Sequence, residues 1–104
     1  MKITQEIILT YLKELKPELE AYGIEKVALF GSFAHKNQNA YSDIDIAIKK
    51  KKNFLEEYSA YDYFNIVSKI KSKILKNLHR QTDVFDLDSQ SSFKEQIQKE
   101  LIYV

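Results

Sequence analysis

Val27-Ala28-Leu29-Phe30-Gly31-Ser32, followed after ten residues by Asp43-Ile44-Asp45-Ile46-Ala47-Ile48, is the stretch whose reading decides the fold. The apolar tetrad Val27–Phe30, bounded by turn-forming residues, has the character of a central strand covered on both faces. Gly31 and Ser32 end it. From Ser42 to Ile48 the residues alternate, with Ile44, Ile46 and Ile48 on one face and Asp43, Asp45 and Ala47 on the other, which is the period of a second strand. A glycine at the end of a buried strand lets backbone approach a ligand closely, and a serine opening the next turn offers its amide and hydroxyl to oxyanions. Asp43 and Asp45, two apart on a strand, project from one face about 6 to 7 Å apart and form a pair of hard oxygen donors.

Working outward, Thr4 is a predicted N-cap for a first helix whose apolar positions Ile8, Tyr11, Leu12, Leu15, Leu19 and Tyr22 recur at helical spacing until Gly23. Pro17 is expected to bend it. Ser59 with Asp62 resembles a capping box that opens a long helix, with an expected core stripe of Tyr61, Phe64, Val67, Ile70, Ile74 and Leu78. Thr82 to Leu87 reads as a third strand, Ser91 as the cap of a short helix carrying Phe93 and Ile97, and Leu101 to Val104 as a last short strand. The pattern αβ(α)βαβαβ predicts an α/β (α+β) unit, a small mixed sheet packed with helices, as a single domain over residues 1–104.

Composition narrows the function classes. The chain has 104 residues, 44% of them hydrophobic, with two Gly and one Pro, which argues against disorder and low complexity. Sixteen basic residues against fifteen acidic ones leave a net charge of +1, so no general field draws the chain to nucleic acid or an anionic membrane, and no direct nucleic-acid binding is expected. The absence of cysteine removes disulfides and thiolate metal sites, leaving carboxylates and histidines as candidate ligands. The N-terminus is polar where a signal peptide is apolar, and no apolar run approaches the ~20 residues of a membrane span, which predicts a cytoplasmic protein with no membrane partner.

Gly-Ser alone, or Asp-x-Asp alone, is a common pattern; in this order, after a buried strand and on an alternating one, the two are specific. Leu29-Phe30-Gly31-Ser32-Phe33-Ala34 with Ser42-Asp43-Ile44-Asp45-Ile46 resembles the minimal nucleotidyltransferases of the DNA polymerase β superfamily, which include MntA-type antitoxins paired with HEPN-domain toxins. The likeness covers nearly the whole chain. Asp83-Val84-Phe85-Asp86-Leu87-Asp88 is similar to the closing strand of that family.

The resemblance implies a polymerase β-like nucleotidyltransferase core that transfers AMP from ATP to a hydroxyl, expected to be a tyrosine, of a cognate HEPN toxin. It implies two Mg²⁺ ions held by Asp43, Asp45 and Asp83, with Asp43 and Asp45 indispensable, Asp83 helping to activate the hydroxyl, and Gly31 and Ser32 binding the nucleoside triphosphate. Strand parity separates Asp83 from Asp86, and the family's first strand aspartate selects Asp83. Where the family usually has Ala-Arg-Gly, this chain has Ala34-His35-Lys36, so a basic residue is kept and a turn glycine lost. His35 is a secondary candidate for meeting a phosphate or a partner. Two other readings remain open: an antitoxin that silences its partner by binding, and a small-molecule nucleotidyltransferase completed by a partner subunit. Lys49 to Lys52 reads as a solvated run that can help hold a partner, and His79-Arg80 as cations suited to a helix C-terminus.

Overall fold

The computed structural model describes residues 2–104, which form α1 (Gln5–Ala21), β1 (Ile24–Phe30), α2 (Ser32–His35), β2 (Ile44–Lys50), α3 (Phe54–Glu57), α4 (Ala60–Leu78), β3 (Thr82–Asp86), α5 (Phe93–Gln98) and β4 (Ile102–Tyr103). The sheet runs in the order β3-β2-β1-β4. β1 is antiparallel to both β2 and β4, whereas β2 and β3 are parallel, so the sheet is mixed. The parallel pair needs a crossover, and α3 with α4 supplies it.

One face of the sheet carries the larger core. Val27 and Leu29 of β1 and Ile44, Ile46 and Ile48 of β2 meet Ile8, Leu12, Leu15 and Leu19 of α1 and Ile66, Ile70, Ile74 and Leu78 of α4. Each fully buried aliphatic side chain of this kind contributes roughly 1.5 to 3 kcal/mol before the entropy of ordering is set against it. The other face is thinner: Phe30, Ala47, Leu87 and Ile97 form a small second core with Phe85 and Leu101 at its edge. Strand alternation assigns Asp45 and Asp83 to this thinner face, two residues before Ala47 and Phe85.

The helix starts follow their caps. Thr4 Oγ1 accepts from the Ile7 amide, and at Ser59 both halves of the capping box form, Ser59 Oγ with the Asp62 amide and Asp62 Oδ2 with the Ser59 amide. Loss of such a cap costs about 1 kcal/mol. α1 continues through Pro17.

Several expectations are corrected. Tyr61 and Phe64 are 74% and 67% exposed; the start of α4 turns Tyr63 and Ile66 inward instead, and the expected stripe meets the core from Val67, partly buried, onward through Ile70, Ile74 and Leu78. β1 begins three residues earlier than the tetrad suggested, at Ile24, because an irregular register between Ile24 and Lys26 hides its alternation. Lys49 and Lys50 belong to β2, and the short helix α3 follows the basic run. α5 begins at Phe93, with Ser91 Oγ accepting from the Phe93 amide and Ser92 in the cap position.

Candidate active site

β1 delivers the chain into a turn that only glycine makes easily. Gly31 has φ 76° and ψ −154°, a region essentially closed to residues with a Cβ. A Cβ at this position would collide with Asp45 Oδ2 and lie 2.9 Å from Asp45 Cγ. The backbone of the turn and the Asp45 carboxylate are therefore in direct apposition. Ser32, half-buried, opens α2, and Gln5 of α1 ties that helix down by donating through Nε2 to the carbonyls of Phe33 and Ala34. Phe33 is fully buried beneath.

Sheet register assembles the carboxylates. Asp45 pairs with Phe30 on β1 and with Asp83 on the parallel strand β3. In-register neighbours of a parallel pair point to the same face, so Asp45 and Asp83 stand side by side at the end of the sheet where β1 runs into Gly31. Asp43, exposed, lies just before β2 and near enough to act on Asp45. Asp86 falls on the opposite face, where Lys50 Nζ bonds it at 2.7 Å.

The electrostatics are those of an acid cluster without a counterion. Asp45 is raised from 3.8 to about 6, first by desolvation and then by the charges of Asp83 and Asp43, a hydrogen bond with Asp83 and the charge of Glu100. Among the described residues, Asp43, Asp45 and Asp83 have no lysine, arginine or histidine within ion-pair distance.

Glu100, in the turn between α5 and β4, had no signal in the sequence. Its Oε1 accepts from the Gly31 amide at 3.2 Å and its Oε2 meets His35 Nε2 at 2.5 Å. His35 is thus placed at the site, held by a carboxylate. Lys36 adopts φ 58°, the left-handed conformation a glycine would take freely, so the turn closes in the absence of that glycine at a cost of roughly 1 to 2 kcal/mol.

Arg80 also reaches the site region. Its Nη1 donates to the Ser42 carbonyl at 2.8 Å, and its guanidinium lies 5.7 Å from the centre of the Phe33 ring. It braces the segment that leads into Asp43. His79 ends α4 in the left-handed conformation with φ 57°. In the basic run, Lys50 is bound by Asp86 and Asp88 and packs over the Tyr63 ring.

The donors suit a hard divalent cation: they are carboxylate oxygens, the turn beside them admits no side chain of its own, and Asp45 is held above its ordinary value by burial and then by the neighbouring carboxylates. Among the described residues no group of three or more Asp, Glu, His or Cys side chains is yet drawn to coordination distance. Asp45 and Asp83 are the close pair, and Asp43 stands further out.

Comparison with known proteins agrees with this geometry. The family model described as "Polymerase beta, Nucleotidyltransferase" matches residues 13–104. Two relatives from Methanocaldococcus jannaschii, both named as candidate protein adenylyltransferases, are 32% identical over 96% of this chain and 93% of their own, and 29% identical over the whole of both chains. In structure the chain is similar to a candidate minimal nucleotidyltransferase, with TM-score 0.72, 18% identity and coverage of 96% of this chain and 95% of the other. It also resembles a chain in the crystal structure of a toxin-antitoxin with AMP-PNP, with TM-score 0.61, 22% identity and coverage of 97% and 72%. A chain of the toxin-antitoxin MntA-HpeT gives TM-score 0.59, 20% identity and coverage of 97% and 71%. No helix among the described residues is long and apolar enough to cross a membrane. The mixed sheet with its Gly-Ser turn and the family match over residues 13–104 lead to one conclusion: this chain belongs to the polymerase beta nucleotidyltransferase family and is a nucleotidyltransferase.

Proposed function

We propose that this chain, a single domain working in the cytoplasm, transfers AMP from ATP to a hydroxyl, expected to be a tyrosine, of a HEPN-domain toxin and so acts as its antitoxin. The observation that carries the reading is the register pair Asp45–Asp83, flanked by Asp43 and set against the Gly31 turn, with no lysine, arginine or histidine among the described residues within ion-pair distance of the three. Support for the acceptor comes from relatives named as candidate protein adenylyltransferases and from fold neighbours that are toxin-antitoxin chains, one crystallised with AMP-PNP.

Asp43, Asp45 and Asp83 would hold Mg²⁺, two ions by expectation, which when bound neutralises charge on the triphosphate. Gly31, which carries no side chain of its own, and Ser32 would bind the β- and γ-phosphates. The acceptor hydroxyl oxygen forms a bond to the α-phosphorus as the bond from that phosphorus to the β-phosphate oxygen breaks, so pyrophosphate departs and AMP stays on the acceptor. A carboxylate oxygen of Asp83 takes the hydroxyl proton. Positioning and charge balance are most of what the protein supplies in such transfer.

The test is the intact mass of the co-expressed partner after incubation with ATP and Mg²⁺. Wild-type protein should add one AMP unit per transfer, Asp43→Asn and Asp45→Asn none, and Ser32→Ala should be slower by ~10- to 1000-fold, the scale for one preorganised donor. A partner that is silenced at unchanged mass would replace transfer with silencing by binding.

A further inference from the structure

The Gly31 amide is the backbone donor that the nucleotide reading reserves for a phosphate, yet an internal anion already occupies it. Both oxygens of the Glu100 carboxylate are engaged there, Oε1 by Gly31 N–H and Oε2 by His35 Nε2. The same carboxylate acts on Asp45, so it lies close to the acid cluster as well as to the turn. This placement is unfavourable on its own terms. A fourth negative group beside Asp43, Asp45 and Asp83 raises the energy of the empty site, and a glutamine could accept the Gly31 bond at the same distance without that repulsion. What a glutamate adds is a two-oxygen anion with the shape and charge of one edge of a phosphate.

We propose that Glu100 is a tethered phosphate mimic that closes the nucleotide site in the absence of nucleotide and that the triphosphate must displace. The inference rests on the reading of Gly31 and Ser32 as the phosphate-binding turn. The tether is short: the Glu100 amide donates to the Ile97 carbonyl at 2.9 Å, and two residues on, Ile102 pairs with Leu29 of β1. Glu100 therefore remains beside the turn at a high effective concentration. Nucleotide binds only the fraction of molecules in which the carboxylate has swung away, so its apparent affinity falls by that fraction. Displacement also frees His35, which then becomes a donor for the incoming phosphate in place of its internal partner. His35 is in this way both the latch of the closed site and a contact of the open one.

Calorimetric titration of the full chain with the α,β-methylene analogue of ATP in the presence of Mg²⁺ tests this without any acceptor, because that analogue cannot lose pyrophosphate. Glu100→Gln, which keeps size and hydrogen bonding, should bind about tenfold more tightly than wild type, and Glu100→Ala at least as tightly. Adding His35→Ala to Glu100→Gln should cancel part of the gain, an outcome that mere relief of repulsion would not produce. Thermal denaturation of each variant establishes that it is folded. Affinity that is unchanged or weaker in both Glu100 variants overturns the proposal while leaving the nucleotide reading intact. If wild type and all variants fail to bind the analogue, the nucleotide reading itself falls and the proposal with it.

Discussion

Gly31→Ala is the substitution for which the structure sets the clearest magnitude. At φ 76° and ψ −154° an alanine carries backbone strain of about 1 to 3 kcal/mol. Its methyl carbon would also collide with Asp45 Oδ2, with Asp45 Cγ at 2.9 Å and Asp45 Cβ at 3.1 Å. The Asp45 backbone cannot retreat, because it is paired to Phe30 on one side and Asp83 on the other. Only the carboxylate can rotate, and in doing so it leaves the position beside the turn. With about 1 to 2 kcal/mol for this overpacking, the total comes to roughly 2 to 5 kcal/mol, a large part of the stability of a small domain. Urea and thermal unfolding followed by circular dichroism should show a Tm lower by roughly 8 to 40 °C. Asp45→Ala in the Gly31→Ala background should restore about 1 to 2 kcal/mol of that loss, isolating the contact by a double-mutant cycle. A cost below about 0.5 kcal/mol for Gly31→Ala, or zero coupling between the two positions, would refute the apposition of turn and carboxylate.

Two further outcomes follow from the same geometry. Because Asp45 is raised from 3.8 to about 6, its contribution favours folding below pH ~4 and is lost as pH rises through ~6, so Asp45→Asn should be more stable than wild type at pH 7 and lack that part of the decline. Asp45 is only half-buried, and solvent screening brings the expected difference at pH 7 to about 1 kcal/mol, read from urea unfolding at pH 4, 5, 6 and 7. Arg80→Ala removes a charge-assisted bond to the Ser42 carbonyl and should cost roughly 1.5 to 3 kcal/mol, with faster hydrogen exchange of the amides at 39–43 than elsewhere; uniform exchange across the chain would argue against a brace.

What the sequence could disclose depended on distance along the chain. The strand that ends at Gly31, the alternation through Asp43 and Asp45, and the capping box at Ser59 are local patterns, each written within a few residues. Strand parity likewise put Asp83 and Asp86 on opposite faces, and register then set Asp83 beside Asp45. The failures are tertiary. Tyr61 and Phe64 satisfy the helical period as well as Tyr63 and Ile66 do, and only the seating of α4 on the sheet decides between them. Lys50 looks like one member of a solvated run until the chain returns with Asp86 and Asp88 to neutralise it. Glu100 lies 69 residues from the amide it engages, and nothing around it in sequence distinguishes it from its neighbours.

The two ends of the β2–β3 pair then provide an internal control for the functional reading. At the Lys50 end, Asp86 and Asp88 meet a lysine at 2.7 and 3.2 Å, and that lysine also lies over the Tyr63 ring. Acids there are matched, as acids that serve only the fold generally are. At the other end of the same two strands, Asp45 and Asp83 meet each other with Asp43 nearby, and among the described residues none of the three has a lysine, arginine or histidine within ion-pair distance, while Glu100, which adds further negative charge, meets only His35. One pair of strands thus carries a balanced acid cluster and an unbalanced one, so the imbalance is not a general property of its composition. Such a cluster lowers the stability of the empty protein, and a structural role gives no reason to retain it. The proposed binding of an external cation with its phosphate ligand would, because such a ligand would restore the charge balance that the fold leaves incomplete. The same substitution, Asp45→Asn, is therefore expected to raise stability and abolish transfer together, the opposing signs that separate a functional carboxylate from a structural one.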